Sequence, residues 1–378
     1  MGSTSPCCVL LAGRDESKGS VSDILPVLEW TGQLPSRDVP WETAQQTLTF
    51  NKTEGQVIFL GDRTAFSTTE GRSAPSRTSP YKSAFRQGAT ILPRNFYFVK
   101  SAEPLERPDP DQLYWVETDL DQAEDAKPPY QDVHMKGSVE GRFLYCTALS
   151  RHVLPFLMLP PALIAIPVER EEDHFRVMTA ENLRKQGFRG IAKWMMKVEE
   201  IWEEKRGDKA DRQSIYERLD YQKELTVQSV SSRYLVLYNA AGTNLSAVAL
   251  DRNHLPISFI VEHKLYWAPC SSEQEADYLT AILNSDSINI AIKPFQSTGL
   301  MGERDIEKKV LDLPFPSFNP EMQKHRDLAS LGAQAKTKAA TYVSSILMPT
   351  SLAKRRAMVR DHLGNIMGEI DRLVKTLI

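Results

Sequence analysis

The chain has 378 residues, of which 41% are hydrophobic and 25% are charged, and its formal net charge is -3. This composition is close to the globular average, which argues against a disordered chain and against a small disulfide-stabilised protein. The length predicts two domains, or one elaborate domain with a helical appendage, and the small net charge means that any case for nucleic acid depends on how charge is distributed.

The cysteines and the apolar runs indicate the compartment. Cys7, Cys8, Cys146 and Cys270 show no CxxC spacing and no adjacent histidine cluster, so we expect neither a structural zinc site nor a disulfide framework. The apolar run 153–168 is interrupted by prolines and is too short to span a bilayer. We therefore predict a cytoplasmic protein without a membrane segment.

The first part of the chain has a β-type pattern. Residues 1–56 mix Gly, Pro and Ser with short apolar pieces and show no sustained period, which predicts an irregular opening segment. From residue 57, short β-branched and aromatic runs alternate with Pro- and Gly-containing turns, which is typical of a twisted, mostly antiparallel sheet. The expected strands are 57–60, 91–92, 96–99, 113–116 and 143–145.

A helical insertion is predicted over about 179–225. An apolar stripe at three- and four-residue steps indicates an amphipathic helix that ends near Arg206. Gly207 and Asp208 break it, and a second helix is expected over 212–223, so the pair can form an antiparallel hairpin. The stripe consists of Ile191, Trp194, Met195, Val198, Ile201 and Trp202.

The remaining pattern completes the β-rich part and then becomes helical. A helix is expected over 273–292, and after Pro316 helices are expected over 321–345 and 352–378. The predicted class is therefore α+β: a β-rich lobe over 57–320, interrupted by the helical hairpin, and C-terminal helices over 321–378 that pack on the lobe or dock on a partner. The strands that resume after the hairpin are 234–238, 247–250, 259–261 and 265–267.

The sequence carries none of the common catalytic motifs. The sequence shows no glycine-rich strand-to-helix turn for a nucleotide-like cofactor, no P-loop, no HExxH and no GxSxG. The string nearest to the [DN]PP[YFW] motif of amino-group methylation is Lys127-Pro128-Pro129-Tyr130. Its first residue must accept hydrogen bonds from the amine, and lysine has only donors. We therefore predict that KPPY is a turn and assign no catalytic residue.

One nuclease-like arrangement is an alternative. Asp251 precedes an expected strand that ends in Glu262-His263-Lys264, an Asp plus ExK set whose acidic oxygens can bind magnesium. The other interpretation is a solvated or DNA-facing strand end.

Residues 71–102 are the most one-sided charge segment, with six cations and no acidic residue. Basic groups linked by Ser, Gly and Pro, with aromatic residues between them, suit a loop that follows DNA phosphates. The alternative is a solvated basic loop. Residues 108–126 include seven acidic residues and no basic one. This segment should point away from DNA or toward a basic partner. The predicted DNA contacts of the basic segment are Arg72, Arg77, Tyr81, Lys82 and Arg86.

Several strings resemble, in the same order, the C-terminal part of large adenine-specific DNA methyltransferases, including the fused restriction-modification enzymes often called type IIG. The resemblance extends over roughly residues 20–335. The strings are SPYKSAFRQGATILPRNFYFV (79–99), LDYQKELTVQ (219–228), VLYNAAGTNLSAVAL (236–250), FIVEHKLYWAP (259–269) and ADYLTAILNSDSINIAIKPFQSTGLMGERDIEKKVLDLPFPSFNP (276–320).

In that family this region contains the target recognition domain, which binds duplex DNA and selects the sequence. The resemblance implies double-stranded DNA as one partner and a methyltransferase catalytic subunit or domain, carrying S-adenosylmethionine, as the other; no cofactor is expected on this chain. It implies defence against foreign DNA. A truncated remnant is the further alternative. The implied contacts are Arg94, Asn95, Thr243, Asn244, His263, Lys264, Gln296 and Arg304.

Three of these contacts have a local alternative. Asn244 follows a glycine and can simply shape a turn. Gln296 can cap the preceding helix, and Arg304 can pair with Glu303 or Asp305.

Overall fold

The computed structural model describes residues 24–36, 38–67, 78–103, 105–124, 126–207, 213–299 and 302–378. Strands and helices are interspersed, and the last part of the chain is helical, so the predicted α+β class is confirmed. The strands pair in several small sheets, and every ladder between them is antiparallel in the described residues.

The strands are β1 (Ile24–Thr31), β2 (Thr49–Leu60), β3 (Arg63–Ser67), β4 (Arg86–Gln87), β5 (Phe98–Ser101), β6 (Leu113–Thr118), β7 (Lys136–Glu140), β8 (Leu144–Thr147), β9 (Val153–Leu154), β10 (Leu157–Met158), β11 (Ala162–Ala165), β12 (Val168–Glu171), β13 (His174–Val177), β14 (Tyr234–Asn239), β15 (Ala247–Asp251), β16 (Leu265–Cys270), β17 (Thr298–Gly299) and β18 (Gly302–Glu303).

The helices are α1 (Trp41–Thr47), α2 (Arg94–Tyr97), α3 (Ala180–Lys185), α4 (Arg189–Lys205), α5 (Ile215–Leu219), α6 (Glu273–Asn284), α7 (Asp286–Ile292), α8 (Gln323–Ser345), α9 (Leu352–His362) and α10 (Gly364–Val374).

The opening part forms a three-stranded meander in the order β1-β2-β3. The prediction of an irregular segment over 1–56 is therefore wrong for the described residues from 24 onward. Trp30 pairs with Phe50 on one face, while Val57 pairs with Phe66 on the other. Because apolar side chains lie on both faces, the alternation that identifies a half-buried strand is missing from the sequence.

A five-stranded sheet in the order β7-β6-β5-β11-β8 carries the first core. The helix α4 lies against β7, and its apolar stripe is buried apart from the half-buried Ile201, as the spacing predicted. The indole of Trp194 donates to the Phe96 carbonyl at 2.9 Å, which fixes the helix to the sheet. The second helix of the insertion is shorter than expected, because Asp220 accepts the amides of Leu225 and Thr226 after α5 has ended.

A second sheet, in the order β15-β14-β16-β4, packs against α6. The helix expected over 273–292 is two helices, because the Ser285 hydroxyl accepts the Ile288 amide and caps α7. The strands expected at 91–92 and 259–261 form only isolated bridges or coil, and residues 94–97 are α2 rather than strand. These short segments connect the sheets.

The C-terminal helices pack on the β-rich part. α8 lies along α6, and α9 and α10 close the same core, with the helix expected over 352–378 dividing at Leu363–Gly364. Leu328, Val359 and Ile370 are buried in that core. Among the helices in the described ranges, none has both the length and the apolar character needed to cross a bilayer.

Candidate nucleic-acid interface

Part of the predicted DNA-tracking segment, 71–102, is anchored in the interior. The hydroxyl of Tyr81 donates to Glu275 Oε1 and accepts the Phe318 amide, both at 2.9 Å. Burial raises the pKa of Tyr81 well above its ordinary value. Tyr81 is therefore a structural residue, and the prediction that it contacts DNA is corrected.

Arg63 and Lys82 share one buried carboxylate. Arg63 Nε lies 2.8 Å from one oxygen of Asp312, and Lys82 Nζ lies 2.5 Å from the other. The Asp312 side chain is 2% exposed, whereas those of Arg63 and Lys82 are 40% and 38% exposed. One carboxylate thus holds two solvent-facing cations side by side, and the group keeps a net positive charge.

Arg86 and Lys308 extend this cationic surface. They line one shallow depression, whose wall also includes Glu224. Burial lowers the pKa of Lys308, and the neighbouring Arg86 and Lys82 lower it further. The shared depression places Arg86 beside Lys308, and the effect of Lys82 on the same pKa is consistent with its neighbouring position on Asp312. We call Arg63, Lys82, Arg86 and Lys308 the basic patch.

A turn and a loop are joined beside the patch. Gln296 Nε2 donates to the Gly242 carbonyl at 3.0 Å and to the Arg304 carbonyl at 2.5 Å. The amides of Ile306 and Glu307 both donate to the Ala240 carbonyl. We call residues 240–244 together with 296–299 and 302–307 the turn–loop junction; it unites two of the strings that carry the resemblance.

The basic patch and the turn–loop junction belong to one region of the fold. β3, which begins with Arg63, contacts the 3-10 helix Lys293–Phe295 that leads into the junction. The amide of Ala240 donates to the Lys264 carbonyl at 2.8 Å, which brings the VEHK string to the same place. The exposed predicted residues in this region are Arg86, Thr243, Asn244, Lys264 and Arg304.

Arg94 and His263 are instead part of a buried polar cluster. Glu262 is fully buried, and its Oε1 lies 2.8 Å from His263 Nδ1 and 3.5 Å from an Arg94 guanidinium nitrogen. The Lys264 amide donates to the other oxygen of Glu262 at 2.7 Å. The prediction that Arg94 reaches DNA is corrected, because its side chain is only 7% exposed and its charge faces Glu262.

Two amides also have structural roles. Asn95 is buried and donates to the Val133 carbonyl at 3.2 Å, while its own carbonyl accepts the Thr118 hydroxyl. Gln296 is buried at the centre of the turn–loop junction, and its backbone amide also caps the preceding 3-10 helix by donating to the Lys293 carbonyl at 3.1 Å. For both residues the prediction of direct DNA contact is corrected, since their amide groups are engaged inside the chain.

The exposed junction residues differ in their surroundings. The backbone carbonyls of Thr243 and Asn244 accept from Lys293 and Asn239, which leaves both exposed side chains at the surface of the turn. Lys293 lies 3.3 Å from Glu303, and no ion pair joins Arg304 to a carboxylate in the described ranges.

The nuclease-like set is not arranged as a metal site. Asp251 forms a bidentate contact with Arg233, with a shortest distance of 2.8 Å, and Glu262 is buried against His263. No group of three or more His, Cys, Asp and Glu residues within the described ranges is placed to hold a metal ion. The Asp251, Glu262 and Lys264 alternative therefore gains no support.

KPPY forms the predicted local structure. Pro128–Tyr130 is a 3-10 helix, and the Tyr130 ring stacks on Trp202 at 6.1 Å and meets the edge of Phe96 at 5.5 Å. A ring held in this way packs the core rather than presenting a face to a base.

The acidic segment is partly neutralised within the chain. Lys136 and Lys100 lie 2.8 and 3.2 Å from Glu117, and their hydrogen bonds lower the pKa of Glu117 to about 2. Arg142 also pairs with Asp111.

Two patch residues were missed from the sequence, and two predicted contacts lie outside the described residues. Arg63 and Lys308 carry no motif of their own and join the patch only through folding. Arg72 and Arg77 belong to the undescribed stretch between Ser67 and Thr78.

Comparisons with known proteins give a likeness at the level of structure. No protein-family model matches the chain, and no curated protein matches it. Among solved structures, the chain is similar to the Type IIL restriction-modification enzyme MmeI in complex with DNA, at 11% sequence identity and a TM-score of 0.46. The match covers 87% of this chain and 39% of that enzyme.

Proposed function

We propose that this chain is the DNA-recognition part of an adenine-specific DNA methyltransferase or restriction-modification system. Duplex DNA binds across the basic patch and the turn–loop junction. The methyltransferase catalytic domain and its S-adenosylmethionine belong to another chain or another part of the protein.

The observation that carries this proposal is the clustering of cations around one buried carboxylate. The four cations of the basic patch outnumber the nearby carboxylates Asp312, Glu224 and Glu307, so the surface has a net positive charge although the whole chain is slightly acidic. Glu307 also pairs with Lys309. DNA phosphates supply the negative charge that such a surface attracts.

The neighbouring junction supplies side chains for base recognition. Phosphate contacts position a protein on DNA, and contacts to base edges select the sequence. The exposed side chains of Thr243, Asn244 and Arg304 carry hydroxyl, amide and guanidinium groups, which hydrogen bond base edges. The order of the resembling strings supports the same division, since the junction is built from two of them.

The proposal assigns recognition without methyl transfer to these residues. KPPY begins with a lysine, which cannot accept the amino hydrogens of adenine, and Tyr130 is packed against Trp202. The sequence also shows no glycine-rich cofactor turn.

The test is the salt dependence of binding to a mixed-sequence duplex, measured by fluorescence anisotropy with the full chain. Replacing Lys82, Arg86 and Lys308 together by Gln should weaken binding to all duplexes alike. The slope of log K against log salt concentration is negative, and each lost phosphate contact should reduce its magnitude by about 0.9. Gln is preferred to Glu because Lys82 adjoins Asp312.

The matched control replaces Arg184, Lys193 and Lys197 by Gln, three exposed cations on α3 and α4. This variant has the same net charge as the first and should keep the wild-type slope. Equal slopes for both variants would contradict the proposal, and so would undetectable binding of the wild-type chain at low salt, which is the result expected of an inactive remnant.

A further inference from the structure

A second cationic cleft lies apart from the basic patch. It has a volume of about 580 Å³, and five arginines from separate segments line it. None of its lining residues belongs to the basic patch or to the turn–loop junction. The five arginines are Arg107 before β6, Arg142 after β7, Arg170 on β12, Arg233 before β14 and Arg252 after β15.

The charge of this cleft is only partly balanced. Arg142 pairs with Asp111, and Arg233 pairs with Asp251. In the described part of the chain the lining contains no carboxylate, and no ion pair is formed there by Arg107, Arg170 or Arg252. The carboxylate of Asp173 lies at the wall, where it accepts the amides of Val230 and Ser231 and acts on Arg252. With Asp111, Asp251 and Asp173 counted against the five arginines, the cleft keeps an excess of two positive charges.

Three backbone carbonyls fix the side chain of Arg252 in position. Its Nη1 donates to the carbonyls of Ser229, Ser232 and Val230 at 2.7, 3.2 and 3.3 Å. Its Nε and Nη2 are buried and meet no acceptor in the described residues. The hydrogen-bonding capacity of this guanidinium is therefore only partly satisfied, and its positive charge stays at the wall of the cleft.

The electrostatics favour an anion in the cleft. Burial lowers the pKa of Arg252 to about 10, with the nearby Arg170 contributing in the same direction and Asp173 opposing both, yet the group is still protonated at neutral pH. Taking a positive charge partly out of water next to a like charge is unfavourable. An anion bound beside the exposed Arg170 would offset the mutual repulsion of the two guanidiniums.

We propose that this arginine cleft binds the phosphate groups of a ligand of nucleotide size. The volume lies in the range of small-molecule sites, and an excess of two guanidinium charges suits a polyanion better than a single carboxylate. Ser231, Asn253 and Ser258 add polar groups to the wall. Both a free nucleotide and a phosphodiester of a nucleic-acid strand carry this chemistry.

The experiment is calorimetric titration of the full chain with inorganic triphosphate, ATP and a short duplex at low ionic strength. Triphosphate and ATP should bind with a dissociation constant below about 1 mM. Arg107→Gln and Arg170→Gln change exposed side chains, so both variants should fold. Each should weaken triphosphate binding by about tenfold. The control pair Arg184→Gln and Arg189→Gln, also exposed, should leave the affinity unchanged.

Competition distinguishes the two sources of phosphate. If the duplex displaces triphosphate, and Arg170→Gln weakens both ligands, the cleft holds a DNA phosphodiester. If triphosphate and duplex bind together, the cleft holds a free nucleotide.

Absence of triphosphate and ATP binding would overturn the inference, as would affinities that Arg107→Gln and Arg170→Gln do not change. The basic patch and the cleft are tested by different variants. DNA recognition by the patch can therefore fail while the cleft still binds triphosphate, and triphosphate binding can fail while DNA recognition holds.

Discussion

His152 shows how a polar side chain is held inside this fold. It is buried, and its Nδ1 accepts the Leu149 amide at 3.2 Å. Burial lowers the pKa of His152 to about 4, with Arg151 and Arg94 contributing in the same direction and Glu262 opposing them. The histidine is therefore neutral at pH 7 and must gain a proton if the chain unfolds in mild acid.

The pH dependence of stability follows from this. The folded pKa lies below the ordinary value of 6.5, so the unfolded chain binds the proton more tightly. The contribution of neutral His152 is complete above pH 6.5 and is lost as the pH falls toward 4. The total corresponds to roughly 3 kcal/mol.

We expect His152→Asn, which keeps an acceptor but does not titrate, to flatten this dependence by that amount. The measurement is the free energy of unfolding in urea between pH 7 and pH 4. The exposed His174→Asn should leave the slope as in the wild type. Parallel wild-type and His152→Asn curves would show that the histidine is not buried neutral.

Single residues were predictable where local chemistry decides their state. Lys127 is an example, because a lysine side chain has no hydrogen-bond acceptor in any environment. The two prolines after it require a turn. Arg94 was not predictable, because the Glu262 that it faces is 168 positions away. A basic side chain in a basic segment favours DNA contact until the fold supplies a buried carboxylate.

Helix packing in the C-terminal core depends on a close approach of two backbones. A Cβ atom added at Gly332 would lie 2.3 Å from the Asp277 carbonyl oxygen. Real Cβ atoms do not approach this closely, so α8 and α6 touch only because residue 332 has no side chain. Lys336, one turn later, lies 3.1 Å from Asp277 and reinforces the same crossing.

Two glycine substitutions should act in opposite directions. Gly332→Ala should push α8 from α6 and cost about 2 to 3 kcal/mol, the usual penalty of overpacking. Gly368, inside α10, has no atom within 4 Å of an added Cβ, so Gly368→Ala should stabilise by about 0.5 to 1 kcal/mol. Thermal unfolding of both variants checks the pair. Equal effects would contradict the close approach at Gly332.

The elements were predicted best where an apolar stripe is buried on one side. The α4 stripe and the strands β14, β15 and β16 lie close to the expected positions. Short connecting segments were predicted poorly, because an apolar run such as 259–261 has the same composition whether it joins a ladder or only bridges two sheets. The cap at Ser285 was a missed local signal.

The two cationic surfaces are properties of the assembled molecule. The basic patch joins Arg63 to Asp312 across 249 positions, and the cleft gathers arginines from five segments. Only Lys82 and Arg86 of the patch stand in the basic segment that composition highlights. The sequence therefore predicts that a cationic surface exists, while the fold determines which side chains form it.

The helix α9 connects parts of the chain that are far apart. Arg356 donates to the carbonyls of Val153 at 3.1 Å and Ser150 at 2.7 Å. Arg360 donates to those of Asn284 at 2.9 Å and Leu245 at 2.7 Å. The C-terminal helices thus satisfy backbone carbonyls of β9 and the 3-10 turn before it, of the end of α6 and of the loop before β15, which favours packing on the lobe among the two roles predicted for 321–378.

We expect Arg356→Met to destabilise the whole chain by on the order of 3 kcal/mol, since the Ser150 and Val153 carbonyls both lose a charged donor. Lys354→Met, on an exposed position of the same helix, is the matched control and should change stability by less than about 0.5 kcal/mol. Urea unfolding followed by tryptophan fluorescence and by far-ultraviolet circular dichroism measures both. If Arg356→Met shifts only the helical signal and leaves the tryptophan transition in place, α9 is a separable appendage. Because the Trp194 and Trp202 rings lie in the first core, a shared shift of both signals means that the tail helices stabilise the β-rich lobe as one cooperative unit.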